Sequence, residues 1–221
     1  MTPRIHKLSF AVITLALVLA AMTPTQPSDL RGQFDSPVMA MYMSENLSQV
    51  HELVPASDTE QYRKLTWRWR RFLIVDLAFL AAYGWMFFEM ARQLARLTHA
   101  GILAMVLAPA AAVADLGENT AIWFALSGSA FWAGLIKPFS LTKWGLIGAI
   151  ALLLSWLFKR AAPLDTEEKL VSMIAGVFYL LTAVIAAFGL WQHYVLERVL
   201  TPLSLAILLQ AYLGCLRRIF P

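Results

Sequence analysis

Long unbroken blocks of apolar residues, separated by short polar stretches, organise this chain of 221 residues. The blocks cover roughly 8–22, 72–91, 101–126, 141–158, 170–191 and 199–216. A run of about 20 apolar residues is what a helix needs to cross the hydrocarbon of a bilayer. The pattern therefore predicts an all-α, polytopic integral membrane helical bundle with five or six transmembrane helices. The first block follows Arg4 and Lys7 and ends near Ala20 and Ala21. That fits a cleaved signal peptide or an uncleaved signal anchor over 1–22.

The remaining chain divides into an external segment, 23–66, and the bundle, 67–221. "TPTQPSD" reads as a linker by composition. Ser36-Pro37 is a helix start, with Ser as N-cap and Pro at the first helical position. Met39, Tyr42, Met43, Val50, Leu53 and Val54 then recur on one face, which predicts one external amphipathic helix ended by Pro55. "YRKLTWRWRRF" reads as an interfacial anchor at the mouth of the next span. Asp165 with Glu168 forms a capping box, and Thr201-Pro202 a further N-cap. "SGSAFWAGLIKPFS" is expected to be an interfacial turn or a short re-entrant piece.

Composition agrees with the pattern. The chain is 59% hydrophobic and 14% charged, against about a quarter charged in soluble domains. The net charge of +4 lies at block edges, where Lys and Arg meet headgroups, so nucleic acid is not an expected partner. With the N-terminus inside, Arg92, Arg96, Lys159, Arg160, Lys169, Arg217 and Arg218 obey the positive-inside rule, while the cluster from Arg63 to Arg71 opposes it. The lone Cys215 excludes an intrachain disulfide framework and a Cys-based zinc site. The compact size and signal-like start suggest a bacterial inner (cytoplasmic) membrane.

One block carries chemistry. Asp115, Glu118 and Asn119 lie in the middle of 101–126. Each acid at that depth costs about 2.5 to 3.5 kcal/mol on insertion scales. Glu118 and Asn119 sit at about −60° and +40° from Asp115, so all share one face. Ala108, Ala111, Ala112 and Ile122 continue that face, and Val106, Val113 and Phe124 occupy the other. The acids therefore look toward a close neighbouring helix rather than lipid. Pro109 frees the Met105 carbonyl and kinks the span.

No Lys or Arg falls in the middle of any block, so these acids have no internal cation. Three answers balance the charge. The acids carry protons, they hold a metal or alkali ion, or they hold a cationic ligand against aromatic faces such as Tyr83, Trp85, Trp123 and Tyr179. The bland alternative is polar glue between helices. Asp76 and Tyr83 share a face two turns apart and either join this site or, for Asp76, snorkel toward Arg70 and Arg71.

Weaker signals are His193 with Glu197 at i,i+4, which suits a metal or proton relay but more simply an interfacial contact with Arg198. "MAMYM" offers soft thioethers for Cu(I) as a loop or strand. As a helix it turns Met41 away from Met39 and Met43, and the helix signals favour that form. No metal site, hydrolase, nucleotide-binding or CxxC motif is present. The leading expectation is an intramembrane acidic site, D-x-x-E-N, that binds a cationic or amphiphilic ligand or a proton for transport or regulation. Its ligand residues are Asp115, Glu118, Asn119, Asp76 and Tyr83. The alternatives are a membrane-embedded enzyme acting on a lipid or isoprenoid, with Glu118 or Asp115 as acid/base, and an accessory subunit whose acids pair with an Arg of a membrane protein partner.

Overall fold

The structure, a computed structural model, describes residues 3–24, 34, 36–55, 60–160 and 166–219. It is helical throughout, and six of its helices are long and apolar enough to cross a membrane. In chain order they are α1 (Pro3–Met22), the short α2 (Pro37–Tyr42) and α3 (Leu47–Leu53), then α4 (Glu60–Ala95), α5 (Ala100–Ala125), α6 (Ala130–Arg160), α7 (Thr166–Trp191) and α8 (Leu200–Ile219). A 3₁₀ stretch, His193–Val199, leads into α8. The 36 residues of α4 extend about 54 Å, longer than a hydrocarbon core of about 30 Å, and its first turns are rich in Arg.

The six long helices form a closed ring. Each of α4 to α8 packs on the next, and α1 completes the circuit between α8 and α4. Two glycines set the spacing around α5. A Cβ at Gly84 of α4 would stand 3.2 Å from the Ala112 Cβ, and one at Gly117 would stand 2.7 Å from the Phe139 ring of α6. Such small-residue contacts let membrane helices approach closely. The start of α4 meets the end of α5, where the Tyr62 hydroxyl donates to the Leu126 carbonyl and Arg70 donates to Ser127 Oγ.

The segment between α1 and α4 differs from expectation in form. It holds two short helices in place of one. Ser36 caps α2 by accepting from the Val38 N–H, as the Ser-Pro pair predicts. Asn46 then accepts from the Gln49 N–H and starts a second helix, so the chain breaks at 43–46. Both helices pack against α6 at one end of the ring. Met39 and Met41 lie in helical backbone and so point to different sides, as expected, but Met39, Met41 and Met43 are all buried there. A face buried on several sides has no single greasy stripe.

Two further elements depart from the pattern. "AFWAGLIKPFS" is the first part of α6, not a turn, and Pro138 lies inside the helix. Thr201 and Pro202 fall in the first turn of α8, because the 3₁₀ stretch runs directly into it. The Asp165–Glu168 capping box and most of the "TPTQPSD" linker lie outside the described residues, as does the Cys215 side chain.

Candidate functional site

Helix α5 divides as its sequence predicts. Val106, Val113 and Phe124 are exposed, while Ala108, Ala111, Asp115, Glu118, Asn119 and Ile122 are buried. On the α4 side two hydrogen bonds act as rungs between antiparallel helices. The Tyr83 hydroxyl donates to Asp115 Oδ2 at 2.6 Å, and Asn119 Nδ2 donates to Asp76 Oδ2 at 2.8 Å. Asp76 is 5% exposed, so it faces the bundle and not the Arg70 and Arg71 interface. The structure thus brings together Asp76, Tyr83, Asp115, Glu118 and Asn119.

The α6 side corrects the charge balance. Lys143 is buried and reaches both acids of α5, with its Nζ 3.1 Å from Asp115 Oδ1 and 2.7 Å from Glu118 Oε2. Placing the span start at 141 puts Lys143 at a block edge. Because α6 begins at Ala130 and continues through Pro138, Lys143 stands 13 residues, about 20 Å, along the helix. The signal was present in "AFWAGLI", an apolar run that extends the block toward the N-terminus.

Aromatic faces complete the surroundings of the ammonium, but not those singled out from the sequence. Lys143 Nζ lies 4.3 Å from the Tyr42 ring centroid and 5.4 Å from that of Trp144. Tyr42 comes from α2, so the segment before α4 contributes directly to the buried cluster. Of the expected aromatics, Tyr83 serves as a hydrogen-bond donor and Trp85 is exposed. Trp123 stacks under Arg70, and Tyr179 bonds Gln210 elsewhere in the ring.

Several polar atoms here are buried without a hydrogen-bond partner among the described residues. They are Glu118 Oε1, Asn119 Oδ1, Ser140 Oγ and Trp144 Nε1. Lys143 and Trp144 follow Ser140 at the i,i+3 and i,i+4 spacings that bring helical side chains together on one face of α6. Among the described residues no cluster of three or more His, Cys, Asp and Glu stands where it could hold a metal ion.

At the adjoining end of the ring, Lys137 pairs with Glu45 and fastens the 43–46 turn to α6. The hydrogen bond and the charge of Lys137 hold the Glu45 carboxyl below its ordinary value of 4.5. Glu197 Oε1 accepts from the Ser36 N–H at 2.9 Å and fixes the start of α2. His193 and Glu197 do not share a face as i,i+4 partners do in an α-helix, because the 3₁₀ form aligns i with i+3 instead.

No protein family, curated protein or solved structure shows a match to this chain.

Proposed function

We propose that this multi-pass membrane protein binds protons at the cluster of Asp76, Asp115, Glu118 and Lys143, and that protonation drives or regulates transport. The observation that carries this reading is the charge count. Three buried carboxyls share one buried ammonium. One ammonium neutralises one carboxylate. Two further charges buried together without a second cation to balance them are too costly to keep, so they are neutralised by protons or a bound cation. Tyr83 and Asn119 supply donors to Asp115 and Asp76, whereas Glu118 Oε1 has none, which makes Glu118 the principal proton acceptor. Lys143 also supplies from within the chain the cation that an accessory-subunit reading would take from a partner's Arg. The setting we propose is a bacterial inner membrane, whose anionic cytoplasmic face suits the Lys and Arg at the span ends.

The test is proton uptake by the full chain in vesicles of phosphatidylethanolamine and phosphatidylglycerol, with a pH-reporting dye inside. After an imposed pH step, the parent should acidify the lumen faster than Glu118→Gln. Equal rates, both at the level of empty vesicles, would sink the proposal.

A second reading has its own support. A groove of about 220 Å³ between α4 and α5 is lined by Leu73, Leu77, Leu116 and Trp123, with Asn119 also in its lining. An acyl or prenyl chain fits that lining, and the enzyme reading would place Glu118 or Asp115 as acid/base with Asn119 orienting the substrate. Under it, Glu118→Gln changes the cellular lipid profile; an unaltered profile counts against it.

A further inference from the structure

The surroundings of Lys143 Nζ are those of an ammonium receptor whose occupant happens to be tethered. Two carboxylates approach from α5, and two aromatic faces come from Tyr42 and Trp144. Beside them Glu118 Oε1, wholly buried, has no hydrogen-bond partner among the described residues. We propose that this cage binds a small primary amine as its external ligand, and that the Lys143 ammonium holds the place of that ligand when it is absent. The inference rests on the proton-linked reading above and names the cation class that the cluster exchanges for protons.

The geometry selects among cations. A primary ammonium has three N–H donors. Two are matched by Asp115 Oδ1 and Glu118 Oε2, and aromatic faces attract the desolvated charge that remains. A quaternary ammonium has no N–H, and its methyl groups keep nitrogen farther from oxygen than the 2.7 Å seen at Glu118. Alkali ions need oxygen ligands on every side, whereas the ring faces of Tyr42 and Trp144 lie close to this position. The route is set by Tyr42. It belongs to α2, which is held by the Glu45–Lys137 and Ser36–Glu197 contacts, so release of the segment before α4 uncovers the cage from that end.

The experiment uses the full chain in detergent and reads its melting temperature. Lys143→Met empties the cage. Methylammonium or ethylammonium chloride should then raise the melting temperature by a few degrees, saturably, as a ligand of the folded state does. Sodium and tetramethylammonium chloride at equal ionic strength should not, and the parent should not respond. Adding Asp115→Asn and Glu118→Gln to Lys143→Met should abolish the response. Should Lys143→Met fail to fold, Lys143→Met/Glu118→Gln leaves one acid, still bonded to Tyr83, and a weaker response of the same selectivity is expected. An effect shared by sodium or tetramethylammonium overturns the assignment, as does no effect in either variant. Proton uptake by the parent alongside that failure removes the amine and leaves the proton site in place.

Discussion

The ring contains two buried polar clusters, and they are built on opposite principles. Between α1, α7 and α8, Gln210 Nε2 donates to Ser9 Oγ at 2.7 Å and the Tyr179 hydroxyl donates to Gln210 Oε1 at 2.9 Å. His6 Nδ1 donates to the Gln210 carbonyl, and Ser9 Oγ also donates to the Ile5 carbonyl. These groups are hydrogen-bonded to one another, and no carboxylate, Lys or Arg is among them. They tie α1 into the circuit as polar glue. The α4–α5–α6 cluster has more carboxyls than cations and leaves acceptors unused. Burial is common to both. Unbalanced charge and spare acceptors separate a candidate site from a fastener.

The sharpest way to test that contrast is to remove the central member of each. Lys143→Met strands the acids of α5, and breaking a buried pair from one side costs about 3 to 5 kcal/mol. Thermal unfolding in detergent should show a large drop, most of it recovered when Asp115→Asn and Glu118→Gln are added. If the triple variant melts no higher than Lys143→Met, the charge account is wrong. Gln210→Leu should cost less, about 1 kcal/mol, because its neutral partners lose hydrogen bonds but no charge is stranded. A Gln210→Leu penalty as large as that of Lys143→Met would erase the distinction.

The same contrast explains what could be read from the sequence. The acid face of α5 was legible because small residues and two carboxyls repeat at helical spacing within one block. So were the existence and rough extent of the long helices. Asp76 and Tyr83 could be placed on one face of α4, but only packing decides that Asn119 and Asp115 meet them. Lys143 and Tyr42 were hidden for different physical reasons. Pro138 and the serines before it resemble a break, yet α6 runs through them, because a helix in a packed ring tolerates one missing hydrogen bond. Tyr42 lies outside every apolar block, and no local periodicity reports that α2 is folded down onto α6.

A smaller effect concerns the contact that fastens the 43–46 turn to α6. Glu45→Gln removes the ion pair with Lys137, an exposed contact of the kind worth about 0.2 to 1 kcal/mol. Since Lys137 lowers the folded-state value of Glu45 below 4.5, its contribution is fully present above that value. It is lost as pH falls through the lower folded value. The parent should therefore lose stability on acidification below about pH 4.5 more steeply than Glu45→Gln. Parallel melting curves in that window would assign the acid response to other groups. The comparison also isolates α2 and α3, because Gln210→Leu should shift the curve without changing its slope.

The smallest expected change is the most informative about the cage. Ser140 is fully buried one turn before Lys143, and its Oγ has no hydrogen-bond partner among the described residues. An unpartnered buried hydroxyl gains nothing from folding, so Ser140→Ala should alter the melting temperature by no more than a surface change does, within about 0.5 kcal/mol, or raise it slightly. Ser9→Ala provides the contrast, because its hydroxyl accepts from Gln210 and donates to Ile5. Its loss should be measurable under the same conditions. If Ser140→Ala instead costs as much as Ser9→Ala, then Ser140 Oγ is bonded in the working protein to something other than the chain. The spare acceptors around Lys143 would then mark a ligand or water already held in the cage, and the amine titration should be repeated on Ser140→Ala to tell which.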